Sequence, residues 1–340
     1  MTTFTYQSKL TLLETERGIQ ILKTFFEKEL SSQLSLQRVS APKFLKVGTG
    51  LQDDLAGTQI PVSFKPKMID DTLEVVHSLA KWKRMALKRY GFAPGQGLYT
   101  DMDAIRKDED LDEIHSLYVD QWDWEAIITG DQRQLDFLQA TVKKIYAAIY
   151  KTAQELERIF PLLTMRLPTQ IQFMHSEDLA KLYPTLSPKE RESAIAREYG
   201  AVFLIGIGHP LDSGVAHDLR AADYDDWSTE TKAGYHGLNG DILVWDDLRG
   251  EVLELSSMGI RVDEKSLIRQ LDLLGLSDRA ELEFHRGVIH AELPLSIGGG
   301  IGQSRLSMFL LHKKHIGEVQ VSTWPLKVWQ ECEKDGIQLL

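Results

Sequence analysis

The stretch that most limits what this chain can become is SIGGGIGQSRLSMFLL, residues 296–311. Three consecutive glycines, Gly298 to Gly300, and then Gly302 bare the backbone directly before Gln303, Ser304 and Arg305 open an apolar run. Glycine lets another group approach the backbone closely. A helix start offers unpaired N–H groups and a partial positive charge that suit an anion. The pattern reads as a bare strand feeding a helix, with a nucleotide contact as the sharper meaning and tight helix–sheet packing as the plainer one. Two common phosphate loops do not fit it. A P-loop ends in Gly-Lys-Ser/Thr, where this chain has Gln303 and Ser304. A dinucleotide fingerprint needs G-x-G-x-x-G and an acidic residue about 20 positions on.

The 340 residues have room for one large or two ordinary domains. No repeat, low-complexity tract or linker divides them, so a single domain over 1–340 is expected. The net charge of −11 argues against a nucleic-acid or anionic-membrane partner, because both need a basic field. It leaves room for a nucleotide held by a few placed arginines. No apolar run reaches the roughly 18 residues of a membrane span, and MTTFTYQSKL has no signal-peptide core. Cys332 is the sole cysteine, which excludes a disulfide framework and a cysteine zinc site. A cytoplasmic enzyme is expected.

Helical spacing of Ile19, Leu22, Phe26 and Leu30 predicts a helix over 8–34, and Leu138, Val142, Ile145 and Ile149 predict another over 132–160. Ser187-Pro188-Lys189-Glu190 is a capped helix start. Further helices are expected over 77–90, 278–291 and 303–313. Strands are expected at 73–76, 171–174, 201–207, 242–245 and 252–260. The extended LQRVSAPKFLKVG contains Pro42, which suits an edge strand. Strands and helices mix without regular βαβ alternation, so the fold class is α+β, a mostly antiparallel sheet flanked by helices.

Several segments could carry chemistry. Residues 116–125 alternate, with Gln121, Asp123 and Glu125 on one face and Asp120, Trp122 and Trp124 on the other. An amide beside a carboxylate is a good receptor for an ammonium group, and a polar outer face is the plainer reading. AHDLRAADYDDWS packs Asp218, Asp223, Asp225 and Asp226 around Arg220; it is either an acidic surface loop or a place for a metal–triphosphate. Asp241 opens one strand, while Glu254 and Ser256 share a face of the next. Such hard oxygen ligands suit Mg²⁺, which is usually held by one or two carboxylates plus phosphates. In VHSLAKWKR a lysine, Lys83, could meet a substrate carboxylate near Ser78, and His77 reads as a core histidine. The loop VGTGLQDDLAG carries Asp53 and Asp54.

Together these pieces resemble a known family. Arg106 on a strand–loop–strand, the glycine strand with Arg305, and the first helix followed by the Pro42 strand resemble motifs 2, 3 and 1 of class II aminoacyl-tRNA synthetases. More narrowly, GLQDDLAG, VVHSLAKWKR, GLYTDMDAIR, VDQWDWE, DYDDWS, GLNGDILVW, ELSSMGIRV and GGGIGQSRL are similar, in this order, to the ammonia-dependent asparagine synthetases. The resemblance implies a class II synthetase-like catalytic core and a homodimer. It implies that ATP, with Mg²⁺, activates aspartate as β-aspartyl-AMP, which ammonia converts to asparagine with release of AMP. By the same resemblance Arg106 meets the α-phosphate and Arg305 the distal phosphates and adenine, beside Gly300 and Gly302. Asp225, Asp241 and Glu254 surround the nucleotide, the last two as metal ligands. Ser78, Lys83, Gln121, Asp123 and Ser257 form the aspartate pocket, and Asp53 stands near the reacting carbonyl to dock ammonium.

A tRNA synthetase would need an anticodon-binding domain ahead of motif 1, which here begins close to the start of the chain. A glutamine-dependent synthetase needs an N-terminal cysteine where this chain has Thr2. A non-catalytic paralogue should have lost Arg106, Arg305, Asp241 or Glu254, and a purely structural protein leaves the polar strand faces unexplained.

Overall fold

The computed structural model describes residues 6–53, 55–57, 59–164 and 166–340; Thr2 and Asp54 lie outside them. The strands are β1 (Leu36–Arg38), β2 (Phe44–Lys46), β3 (Ser63–Phe64), β4 (Leu73–Val75), β5 (Gly97–Ile105), β6 (Tyr118–Ile127), β7 (Gln172–His175), β8 (Ala201–Ile205), β9 (Glu230–Lys232), β10 (Tyr235–His236), β11 (Asn239–Asp246), β12 (Glu251–Ile260) and β13 (Ser296–Gly302). Eight of them build one sheet in the order β1-β5-β6-β13-β12-β11-β8-β7. The six central strands pair antiparallel, and only the edges β1 and β7 run parallel to their neighbours. The expected α+β, mostly antiparallel architecture is borne out.

One sheet face is covered by two long helices, Leu12–Leu34 and Leu135–Ile159. The first begins at Thr11, whose hydroxyl accepts the Glu14 N–H while the Glu14 carboxylate accepts the Thr11 N–H at 2.9 Å, a reciprocal cap. Leu22, Phe26 and Leu30 from one helix and Leu138, Val142, Ile145 and Ile149 from the other pack with Trp122 and Trp124 in one core. Trp122 lies 4.6 Å from the Phe26 ring and donates its indole N–H to Glu27 at 3.0 Å. The alternation read from β6 therefore holds. Its tryptophans face the helices, and Gln121, Asp123 and Glu125 face the other side.

On that other side the glycines of β13 lie opposite β6, with Gly302 against Gln121, Gly300 against Asp123 and Gly298 against Glu125. A methyl group at Gly298 would collide with the Glu125 carboxylate and come within 2.7 Å of Arg261, and one at Gly300 would collide with the Gln121 amide. The bare backbone makes room for long polar side chains of this protein, not only for a ligand. The helix that follows, Gln303–Leu310, already has an anion at its start, since the Ser304 N–H donates to Asp120 at 2.9 Å.

β12 departs from simple alternation. Its register against β11 shifts between Ile242 and Leu243, with Ser256 opposite Ile242 and Glu254 opposite Leu243. The residue between them is an extra one, a β-bulge. Leu253 points to the core before it, Met258 and Ile260 after it, and the extra residue, Leu255, joins the same core. Glu254 thus shares its face with Ser257, not with Ser256 as expected from even spacing.

Other elements differ from the expectation. The helix expected over 278–291 divides into a 3₁₀ turn, Ser277–Glu281, and a helix, Glu283–Ile289. The break is Leu282, whose extended backbone packs its Cβ against Gly50. The strand expected at 73–76 joins β2 and β3 in a separate small sheet. The helix after it starts at Ala80, because the Ser78 hydroxyl accepts the Ala80 N–H at 3.1 Å. Helices Ser176–Leu182, Glu264–Leu273 and Leu326–Lys334 were not anticipated.

The glycine cradle yields a test. Gly298→Ala should lower stability by about 3 kcal/mol, because a buried ion pair must shift. Gly302→Ala meets only the Arg305 Cβ at 3.4 Å and should cost less than about 1 kcal/mol. Urea unfolding midpoints of the two variants read the difference.

Candidate functional site

The face of the sheet opposite the two long helices opens into a cavity of about 840 Å³, mouth included, whose lining includes Arg106, Gln121, Glu254, Ser257, Gly300, Gly302 and Arg305. Seven of the residues singled out from the sequence thus come together. Arg106 follows β5 and enters largely buried; one of its terminal N–H groups donates to the His77 carbonyl at 3.1 Å, and its Nε has no partner. Burial pulls its pKa down, and the charges of Asp53 and Glu109 oppose that. Arg305 reaches the same space from the helix start, with one N–H group 3.0 Å from His115 Nε2. His115 in turn lies 2.9 Å from Asp112. Two cations converge on one cavity, which suits a polyanion.

Beneath the cavity the sheet carries a buried ionic layer. Arg261 donates to both oxygens of Glu125, at 2.8 to 3.1 Å, and to Asp225. The Ser296 hydroxyl adds a bond to Glu125 at 2.7 Å. Burial would raise the Glu125 pKa, but Arg261 and Lys83 together hold it below the usual range. Lys83, fully buried, donates to Asp123, to the Trp124 carbonyl at 2.8 Å and to the Gly299 carbonyl at 3.1 Å. All three of its donors are spent inside the protein. Burial moves Lys83 down and Asp123 up, each toward its neutral form. The second Asp123 oxygen is buried without a partner, so this carboxylate retains an unused acceptor beside Gln121.

Asp241 and Glu254 come to one face of adjacent strands through the bulge. Asp241 pairs with Arg220, and its other oxygen is buried without a partner. Burial pushes its pKa up to about 7, with the Arg220 charge opposing and Glu254 adding to the rise. Among the described residues no three metal-ligating side chains gather. Two carboxylates, one with an orphaned oxygen, fit a Mg²⁺ ion that draws its other ligands from phosphates and water.

Asp53 and Ser78 stand outside the cavity lining. Asp53 is buried in the loop before the 3₁₀ turn Leu55–Gly57, where one oxygen accepts the Leu55 N–H at 2.9 Å. Its backbone carbonyl lies 3.2 Å from His77 Nδ1. His77 is the expected buried histidine, its pKa lowered by burial and by Arg106.

The acidic loop resolves differently from the expectation. Asp223 meets Lys81 and His285 at 3.0 Å, Asp225 meets Arg261, and Asp226 meets Arg133 at 2.7 Å. These three do not surround Arg220; of the four, Asp218 stays near it, at 4.0 Å, and the closer partner of Arg220 is Asp241 on β11. An irregular segment points successive side chains in different directions, so closeness in sequence did not become closeness in space. Arg261 was missed as part of the site, and Arg220 and Glu125, though noted, were not given their partners Asp241 and Arg261. For Arg261 a signal was available, since it continues the face of Ser257 and Gly259 beyond the bulge.

The family model described as aspartate-ammonia ligase matches residues 13–336. The chain is 53% identical over 336 residues to an aspartate–ammonia ligase of Parabacteroides distasonis, covering 98% of this chain and 97% of the relative. The corresponding protein of Bacteroides fragilis is 52% identical over the same lengths. The chain belongs to the aspartate–ammonia ligase family. Solved structures show the same fold at low identity. Asparaginyl-tRNA synthetase from Pyrococcus horikoshii, complexed with asparaginyl-adenylate, is 13% identical with a TM-score of 0.66, over 92% of this chain and 70% of that one. The Entamoeba histolytica enzyme, also with asparaginyl-adenylate, gives 14% and 0.65, over 93% and 68%. The family and the class II synthetase fold inferred from the sequence motifs are both borne out.

For this ligase-family chain the ionic layer makes two predictions. Arg261→Met should cost about 3–5 kcal/mol in unfolding free energy, because Glu125 and Asp225 lose their counter-charge in a dry site. Asp223 gives a pH signature. Burial raises its pKa, and Lys81 and His285 more than reverse that, leaving it well below the usual range. Its stabilising contribution is therefore present above about pH 4 and drains as pH falls below that. Asp223→Asn should show a shallower loss of thermal stability between about pH 4 and 2 than the parent.

Proposed function

We propose that this chain, an aspartate–ammonia ligase, makes asparagine from aspartate and ammonia by way of β-aspartyl-AMP, and that Arg106 and Arg305 bracket the nucleotide in the cavity over β6, β12 and β13. The observation that carries this is the convergence of Arg106, Arg305 and the Glu254 carboxylate around one open space lined also by Gln121, Ser257 and Gly300, with Asp241 opposite Ser257 and Asp123 opposite Gly300 in the sheet just beside it.

The chemistry follows from those groups. A carboxylate is a poor acyl donor until its oxygen becomes a good leaving group. Attack of the aspartate β-carboxylate on the α-phosphorus forms a C–O–P bond and expels pyrophosphate. Negative charge builds on the α-phosphoryl oxygens during that attack, and Arg106 is placed to stabilise it. Arg305, steadied by His115, holds the distal phosphates and the adenine side. Asp241 and Glu254 would hold Mg²⁺, which when bound would offset phosphate charge. Gln121 and Asp123 take the substrate α-ammonium, Ser78 and Ser257 add hydroxyl contacts, and Lys83 orients Asp123. Asp225 fixes Arg261 beneath them, while Gly300 and Gly302 keep the floor low.

Ammonia then attacks the β-carbonyl, forming the amide and releasing AMP. Only the uncharged form has the lone pair, so a carboxylate near the carbonyl helps by docking ammonium and taking its proton. Asp53 is the residue proposed for this. The net charge of −11 supports action without nucleic acid. No helix among the described residues is long and apolar enough to cross a membrane. We propose a homodimer of one-domain chains working in the cytoplasm.

Incubation of the pure protein with ATP, Mg²⁺, aspartate and ammonium, without tRNA or glutamine, should give asparagine and AMP in equal amounts. ADP in place of AMP would discard the adenylate route. Arg106→Ala should lower kcat/KM by at least about a hundredfold with an unchanged circular dichroism spectrum. Asp53→Asn should keep aspartate-dependent exchange of pyrophosphate into ATP while slowing asparagine formation; unchanged amidation would remove Asp53 from that role.

A further inference from the structure

Arg220 occupies an unusual place. It comes from the irregular segment between β8 and β9, yet it reaches β11 and bonds the Asp241 carboxylate. Its side chain is 13% exposed and that of Asp241 6%. Glu254, on the neighbouring strand, adds its charge to the same guanidinium. A buried carboxylate and a second one on the neighbouring strand repel each other unless a positive charge stands near both. Here the arginine supplies it.

The pairing is incomplete in a telling way. Arg220 Nε is buried without a partner, and so is one oxygen of Asp241. A structural Arg–carboxylate pair in a dry site usually closes as a two-pronged fork, as Arg261 and Glu125 do one layer below. Arg220 holds Asp241 through a single terminal nitrogen, and its other terminal nitrogen donates to the neighbouring Leu219 carbonyl at 2.9 Å and lies 4.0 Å from the half-exposed Asp218 carboxylate. The backbone that carries it is an irregular segment, not a sheet strand.

We infer that Arg220 is a removable counter-ion, which neutralises Asp241 and Glu254 before Mg²⁺ arrives and competes with the metal for them. The inference rests on the reading of those two carboxylates as metal ligands. A guanidinium cannot give up its charge by deprotonation. When a divalent ion takes the carboxylates, Arg220 must leave them, and phosphate oxygens are the natural next partner for its fork. The arrangement would keep free Mg²⁺ weakly bound and let the metal settle only with its nucleotide.

The test uses Mn²⁺ as a paramagnetic probe, titrated into the full-length protein with and without ATP and read by electron paramagnetic resonance. Without nucleotide, Arg220→Met should bind Mn²⁺ at least tenfold more tightly than the parent, because the competitor is gone. With ATP, its affinity for Mn–ATP should fall or stay level. Adding Asp241→Asn to Arg220→Met should erase the gain. Equal Mn²⁺ affinity of parent and Arg220→Met would overturn the inference, and so would a gain that survives Asp241→Asn. Should Arg220→Met fail to fold, Arg220→Lys, which keeps the charge but loses the fork, should show a smaller gain, and no gain would count against the inference. Mn–ATP binding in the parent decides the underlying reading separately. If Asp241→Asn leaves it unchanged, the metal assignment itself fails, whereas if it weakens it and Arg220→Met has no effect on free Mn²⁺, only the counter-ion role fails.

Discussion

The contact on which the rest of this site depends is the fork of Arg261 around Glu125, closed on its other side by Asp225. Taking three charged groups out of water costs several kcal/mol per ion, and their mutual attraction recovers that only when geometry is good. The geometry is good because the backbone of β13 has no side chains at the level of the pair. Gly298 leaves space for the Glu125 carboxylate and Gly300 for the Gln121 amide. The glycines, the acidic strand and the arginine are thus one construction. It ties β6, β12, β13 and the segment around Asp225 into a rigid polar floor.

That floor explains how a sheet can be greasy on one side and ionic on the other. β6 carries two tryptophans into the helix-covered core and three polar side chains into the opposite layer. Groups that must hold fixed positions, Gln121, Asp123, Asp241, Glu254 and Ser257, stand on strands. Groups expected to meet a changing ligand, Asp53, Arg106, His115 and Arg220, stand on loops or at strand ends. Precision comes from the sheet and adjustment from its margins, the usual division in sites that bind and then transform a substrate.

Much of this was legible in the chain. Strict alternation over 116–125 revealed both faces of β6, since a period of two has no other simple meaning. The long amphipathic helices were equally plain. What stayed hidden was long-range. Asp223, Asp225 and Asp226 crowd together in sequence, yet their charges go to Lys81, Arg133, Arg261 and His285, which lie far along the chain. The partner of Arg220 could not be read locally for the same reason. The division of 278–291 turned on a contact with Gly50, invisible to any helical period. The glycine run was read as space for a ligand, while much of that space is filled by the protein's own Gln121 and Glu125. Family resemblance pointed to Lys83 and Asp225 but could not tell that both are bound into the floor.

The bulge in β12 sets a phase for the whole strand. Upstream of it the inward position is odd-numbered, Leu253; downstream the inward positions are even-numbered, Met258 and Ile260, with the extra residue Leu255 at the change of phase. One residue of slack is what lets Glu254 and Ser257, three apart, look the same way. Removing that residue would not merely shorten the strand. It would turn one half of it over, sending leucines toward the ligand or the carboxylate toward the tryptophans, so single-residue deletions between Glu254 and Ser257 are barred far more strictly than substitutions at the same places.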